Sequence, residues 1–276
     1  MRKLLLIAGV WLAFITVARC EEPLRLKVQP GDTLKYRVLH TTQIKETTID
    51  EESKKPIEVV KSSKMQMIKA WTVKLIDSKG LITLDLTIHR MRLEQTQPDG
   101  KTDLFDSDQP DELNKETIAQ TVGPVLATIK INDRGDVVEV IKSPGPKHRT
   151  LAELPFKVMF PEAAVNDWQR TCTIQLDPPQ GLGDRHASLQ SFSLNGQRKE
   201  GTAVVGLKTT LKETPADASE LTHLIPFLWE GSIQVLPSNG HVVEMNLKIG
   251  KEIKNHQGNG STYHYEASYQ EEMMSK

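Results

Sequence analysis

The chain has 276 residues, and its 35 Lys and Arg against 36 Asp and Glu give a formal net charge of −1 at pH 7. Proteins that bind nucleic acid usually carry a basic excess, so this balance argues against nucleic acid as a partner. Aromatic residues make up only 5% of the chain, which also argues against a stacking platform for single strands.

The first twenty residues have the pattern of an export signal. A basic start precedes an apolar run over residues 4–17, which is too short to span a bilayer comfortably. Ala18 and Cys20 then place small residues at the two positions that a signal peptidase reads. The sequence therefore predicts a signal peptide over 1–20 and an exported domain over 21–276, periplasmic or extracellular.

The end of this signal also outlines a bacterial lipoprotein box, in which Cys20 would carry a lipid anchor. That box favours a small residue before the cysteine, whereas Arg19 is large and charged, so simple cleavage and lipidation both stay open. In either case Cys172 carries the one free thiol, and we expect it to be buried and to form no intramolecular disulfide. Nothing in the mature chain approaches the roughly 20 apolar residues of a transmembrane helix.

Alternation of apolar and polar residues predicts a long hairpin beyond residue 64. Before the turn at residues 77–80, one parity is apolar except at Lys69, and its members are Met65, Met67, Trp71, Val73 and Leu75. After the turn the apolar parity is that of Ile82, Leu84, Leu86 and Ile88. It then switches to Met91 and Leu93, which predicts a β-bulge near His89 and Arg90.

One helix is predicted between residues 108 and 122. Asp108 can cap it, Pro110 suits its first turn, and a Gly-Pro pair ends it. We expect this helix to cover part of the apolar face of the sheet. A second, shorter helical piece is predicted within 150–160 or 220–228.

Further hairpins follow around the glycine turns at residues 132–135 and 237–240. Met245 lies on the apolar parity after the second turn, and the last strand carries Tyr263, Tyr265, Ala267 and Tyr269 on one side. Each glycine turn is followed by Val-Val-Glu, so two related halves, 21–149 and 150–276, stay open beside a single domain.

Several of these predicted strands run to about ten or more residues, and strands of that length must twist and curl to bury one face. The sequence therefore predicts a mainly β fold. We expect a strongly curved antiparallel sheet or half-open barrel, built from long hairpins, with one or two short helices packed on it.

Several short motifs are spread along nearly the whole mature chain: Gly31-Asp32-Thr33-Leu34-Lys35-Tyr36, Phe105-Asp106-Ser107, Val122-Gly123-Pro124 and Gly135-Asp136-Val137-Val138. Together they resemble an uncharacterised family of exported bacterial all-β proteins, a domain of unknown function. That family usually has a glycine in the lead-in to its tryptophan, where this chain has Asn166 before Asp167-Trp168. The resemblance implies no activity and no catalytic residues. The expected architecture is also similar to the periplasmic lipoprotein-carrier fold.

Motifs for catalysis, metal binding or phosphate binding are not recognisable in the sequence. His256 and His264 flank a glycine turn, but no third metal ligand is indicated. The acidic residues between positions 99 and 112 match no calcium-loop spacing. We expect no catalytic residue, no metal and no cofactor.

Two classes of function remain. The first is an exported, non-enzymatic binding, carrier or envelope-scaffold protein, with an apolar small molecule, a lipid or an envelope protein as partner. The residues predicted to line its apolar hollow are Met65, Met67, Trp71, Leu84, Leu86, Met91 and Met245. These side chains could equally form a closed core under the helix. The second class is a hydrolase with a site dispersed over separate strands.

Overall fold

A computed structural model describes residues 23–143, 159–176, 178, 181, 183–199 and 201–275, with the backbone alone at 195–199. The strands are β1 (Thr33–Ile49), β2 (Pro56–Ile76), β3 (Ile82–Thr96), β4 (Thr102–Asp106), β5 (Val125–Ile131), β6 (Val137–Lys142), β7 (Asp167–Leu176), β8 (Asp184–Lys199), β9 (Thr202–Leu211), β10 (Glu230–Val235), β11 (Val242–Lys254) and β12 (Thr262–Met273). The helices are α1 (Lys115–Thr121) and α2 (Ala218–Leu224), and a 3-10 turn (Ile225–Phe227) follows α2. The predicted signal peptide lies outside the described residues.

All twelve strands belong to one antiparallel sheet that is not closed. Its order is β6-β5-β3-β2-β1-β12-β11-β10-β9-β8-β7, with β4 paired to β3. The first and last strands are therefore neighbours at the centre, paired from Tyr36 with Met273 to Thr47 with Thr262. The predicted fold class, a mainly β curved sheet with short helices, is confirmed.

The hairpin of β2 and β3 confirms the predicted bulge. Ile68 pairs with Arg90 and Lys69 pairs with Ile88, so His89 is the extra residue. The prediction for Leu75 was wrong, because a second register shift between Val73 and Leu75 ends the alternation. Leu75 is consequently 48% exposed.

One apolar cluster contains side chains from strands on both sides of the central pair β1-β12, and we call these two sides the arms of the sheet. The first arm contributes Trp71, Leu84 and Ile129, and the second contributes Phe192 and Val205. Leu84, Ile129 and Val205 are 0% exposed, and a flat sheet with so little helix packed on it could not bury them so completely. The sheet therefore curls around a shared core, and we call the side that it encloses the core face.

The chain before β1 closes one end of this core. The N–H of Leu26 donates to the carbonyl of Asp133, and the N–H of Lys27 donates to the carbonyl of Asn239. These two acceptors lie in the turns of different hairpins, β5-β6 and β10-β11. The N-terminal segment thus links the two arms where they approach each other.

The two helices differ in what they cover. The helix predicted from residue 108 begins only at Lys115, and α1 buries no residue. The Asp106 carboxylate accepts a bond from the N–H of Asp108, and the Asp111 carboxylate accepts one from the N–H of Asn114. These bonds stabilise turns where the first part of the helix was predicted. The predicted cover over the sheet is therefore wrong for this helix.

The second helical segment, α2 and the 3-10 turn, overlaps the range predicted at 220–228 but begins two residues earlier, at Ala218, and it takes the covering role. Asp217 caps α2 by accepting a bond from the N–H of Ser219, at 2.8 Å. Leu224 packs against Ile174 of β7, and the adjoining Ile225 packs in a cluster with β11 and β12. Neither described helix has the length and apolar character needed to cross a membrane.

Candidate functional site

The seven predicted ligand residues separate into two groups by burial. Trp71, Leu84 and Met245 are at most 1% exposed and belong to the central core cluster. The other four are half-buried: Met65, Met67, Leu86 and Met91. Whether any of the seven contacts a ligand stays a prediction.

The half-buried methionines form part of a continuous apolar surface. Met67 pairs directly with Met91 across β2 and β3, and Met65 pairs with Leu93, which in turn pairs with Phe105 of β4. Directly paired residues point to the same face of a sheet. All five side chains are therefore on the core face and half-buried, and we call them the methionine platform.

The bulge at His89 decides this arrangement. Without the extra residue, Met91 and Leu93 would point to the opposite side from Met67, because side chains alternate along a strand. With the extra residue, Met91 and Leu93 stay on the core face, the same face as Ile88 before the bulge.

Aromatic residues border the platform on the side of the central strands. His40 of β1 pairs with Met65, and its ring centroid lies 5.8 Å from that of Trp229 and 6.0 Å from that of Tyr269. Trp229 is held in place where its carbonyl accepts a bond of 2.9 Å from the N–H of Thr209. These rings separate the platform from the part of the core that the second helical segment covers.

A buried polar cluster lies beside the platform on the same face. The Lys69 ammonium donates to Glu271 at 2.8 Å and to the Tyr269 hydroxyl at 3.1 Å. The Tyr269 hydroxyl also donates to Glu271, and the Tyr36 ring centroid lies 5.8 Å from the ammonium. Burial raises the pKa of both Tyr36 and Tyr269 above the usual value for tyrosine, and the nearby Glu271 carboxylate raises both further.

The two histidines that flank the glycine turn, His256 and His264, bond different carboxylates. His256 bonds Glu46 at 2.8 Å, whereas His264 bonds Glu266 at 2.9 Å. Among the residues that the structure describes, no group of three or more His, Cys, Asp or Glu side chains could hold a metal ion. Cys172, expected to be buried, is half-buried, with its Sγ 3.6 Å from an oxygen of Gln190.

Sequence reasoning missed three contributors to this region. Phe105 is on a strand of only five residues, too short for a clear alternation. Trp229 follows a turn and has no periodic context. Lys69 did leave a signal, since a lysine within an apolar parity indicates either an error in parity or a buried charge with a partner.

Comparison with known proteins does not identify a family for this chain. No family model matches the chain and no curated protein matches it, so the resemblance to an uncharacterised exported family stays a prediction. The chain is similar to a solved structure concerning lipid–protein interactions in lipovitellin, with a TM-score of 0.49 and 10% sequence identity. The similarity covers 90% of this chain and 26% of that one, so this chain spans about a quarter of lipovitellin's length.

Proposed function

We propose that the protein is an exported, non-enzymatic carrier that binds a flexible apolar molecule, such as a lipid, on the methionine platform. The observation that supports this is a contiguous set of five half-buried apolar side chains on the core face, next to a central cluster whose members are at most 9% exposed. Contiguous apolar surface of this kind is uncommon on soluble proteins without a binding role.

The chemistry of the platform suits a ligand of variable shape. Methionine has three rotatable bonds and a polarisable sulfur, so Met65, Met67 and Met91 can adapt to different acyl chains. Each further Å² of apolar surface removed from water contributes about 25 cal/mol. The adjoining rings of His40 and Trp229 supply a firmer wall against which such a chain could align.

Export is the second part of the proposal, and it is supported by the sequence of residues 1–20. A carrier for lipid would then work in the periplasm or outside the cell. Lipidation of Cys20 would hold it at a membrane surface, whereas cleavage after Cys20 would release it.

The platform can be tested with a fluorescent fatty-acid analogue added to the folded mature protein. Phe105→Asp places a charge on the platform, and Leu104→Asp places the same charge on the other face of the same strand, where Leu104 is 44% exposed. We expect saturable binding, weakened about tenfold or more by Phe105→Asp and unchanged by Leu104→Asp.

Urea unfolding of both variants separates loss of binding from loss of fold. If the folded wild-type protein gives no saturable signal, or if the two variants bind equally, the carrier proposal fails. Met67→Asp provides an independent second variant on β2, which is separated from β4 by β3.

A further inference from the structure

The face of the sheet opposite the core face carries a second candidate site. It is a groove of two consecutive stretches, with volumes of about 870 and 710 Å³. Residues 37–39 of β1 and 270–273 of β12 line the first stretch, and residues 41–43 and 266–268 of the same strands line the second. At about 3.3 Å per residue the two together extend roughly 20 Å along the strands. We call this feature the outer groove.

Its floor has a defined chemical pattern at the centre. Leu39 of β1 pairs with Gln66 on one side and with Gln270 on the other, so the three side chains form a row across three strands. Leu39 is half-buried and both glutamines are exposed. Within the described part of the chain, neither amide has a hydrogen-bond partner. The two glutamine backbones are about 10 Å apart, at about 4.8 Å per strand.

The floor of the second stretch of the outer groove is also polar, and charged side chains border it. The hydroxyls of Thr41 and Ser268 share a hydrogen bond of 2.7 Å on its floor. Gly250 also lines it, and a side chain at that position would meet no atom within 4 Å. The floor is therefore open and able to both donate and accept hydrogen bonds.

The charged side chains that line the outer groove are nearly balanced, with five basic residues against six acidic ones: Arg37, Lys64, Arg90, Arg92 and Lys248, and Glu94, Glu230, Glu244, Glu266, Glu271 and Glu272. Arg37 pairs with Glu272 at 3.8 Å, and Lys248 pairs with Glu230 at 3.8 Å. Arg92, on the far side, pairs with Glu94 at 2.8 Å. A groove lined by nearly equal numbers of acidic and basic side chains has no large excess of one sign with which to hold an ionic ligand, so its chemistry favours a neutral one.

We propose that the outer groove binds a neutral oligosaccharide chain. A sugar ring presents hydroxyls at its edge and C–H groups on its faces. Because Gln66 and Gln270 lie on opposite sides of a groove that runs along the strands, their amides can bond hydroxyls on the two edges of one ring, and Leu39 between them contacts its C–H face. Amides and hydroxyls recognise such ligands because each can donate and accept. This site is on the opposite face from the methionine platform and does not depend on the carrier proposal.

Calorimetric titration of the full mature protein with maltotetraose, cellotetraose and tetra-N-acetylchitotetraose tests the inference. We expect saturable binding of at least one of them. The double variant Gln66→Ala and Gln270→Ala should weaken it about tenfold, because two hydrogen bonds are lost. The matched control is Gln95→Ala, which removes an exposed glutamine of β3 from the other face and should leave affinity within about twofold.

Each contrary outcome overturns the inference. These are no saturable binding of any of the three sugars, or equal binding by the double variant and wild type. The fluorescent fatty-acid analogue should bind the double variant as it binds wild type, so failure of one proposal is distinguishable from failure of the other.

Discussion

Lys69 and Glu271 form an ion pair with 2.8 Å between Nζ and Oε2, although β1 lies between their strands. Each side chain is only 4% exposed. Removing two charges from water costs several kcal/mol each, and their attraction offsets this only when both partners are present. The pair therefore links β2 to β12 across β1. Removal of either partner leaves the other charge buried without a counter-charge.

Lys69→Met should lower the free energy of unfolding by about 3 to 5 kcal/mol, because it leaves the Glu271 carboxylate buried without a counter-charge. The double variant Lys69→Met and Glu271→Leu should recover much of that loss. Urea denaturation measures both. The control is Lys45→Met, since Lys45 and Glu58 are also 2.8 Å apart but about half exposed, and this change should cost about 1 kcal/mol or less. Equal costs for the two single variants would contradict the prediction.

Much of the fold was predictable because it depends on local patterns. Side-chain alternation and turn residues identified the hairpins, and the change of parity after Ile88 identified the bulge at His89. The partner of Lys69 was not predictable, since Glu271 is 202 residues away and the pairing of β1 with β12 has no local signature. The candidate site shows the same limit: its methionines were visible in the sequence, but Phe105 and Trp229 join them only through tertiary structure.

All four tyrosines should resist ionisation in the folded protein. Burial raises the pKa of each, to about 12 for Tyr263 and above the usual value for Tyr36, Tyr265 and Tyr269. Because these folded-state pKa values are higher than the unfolded value near 10, the stability they contribute is complete below pH 10 and is lost as the pH rises further.

We therefore expect little tyrosinate absorbance at 295 nm at pH 10 to 10.5, followed by ionisation together with unfolding at higher pH. Near-ultraviolet circular dichroism over the same range reports the unfolding. Ionisation of two or more tyrosines near pH 10 with the dichroism unchanged would contradict this prediction.

Trp71 is 1% exposed in the central core, as its strand parity predicted. Trp71→Ala should therefore lower the free energy of unfolding by about 3 to 5 kcal/mol through lost burial and the cavity that remains. Leu104→Ala, at a residue 44% exposed, should cost well under that amount. Urea denaturation of both variants checks the prediction, which fails if their midpoints coincide.

Export predicts a specific N-terminus. If the signal peptide is removed after Cys20, protein recovered from outside the cytoplasm should begin at Glu21, and intact mass spectrometry will show this. A diacylglyceryl mass on Cys20 would instead establish the lipoprotein alternative. Full-length protein retained in the cytoplasm would contradict both.

Gly240 is the position at which the closed end of the core should be most sensitive. Its φ is +69°, and an added Cβ would lie 2.3 Å from the carbonyl oxygen of Arg25. That contact is with backbone, so no side-chain rotation can relieve it. Gly240→Ala should displace the N-terminal segment and weaken the bond from the N–H of Lys27 to the carbonyl of Asn239.

Gly100→Ala is the matched control, because Gly100 has a similar φ of +80° but no atom within 4 Å of an added Cβ. The control isolates the backbone strain of a left-handed residue, about 1 to 2 kcal/mol, whereas Gly240→Ala should cost more because of the clash. Hydrogen exchange of the Leu26 and Lys27 amides should accelerate in Gly240→Ala and stay unchanged in Gly100→Ala. If the two variants lose the same free energy of unfolding and exchange these amides at the same rate, the N-terminal segment does not hold the two arms together.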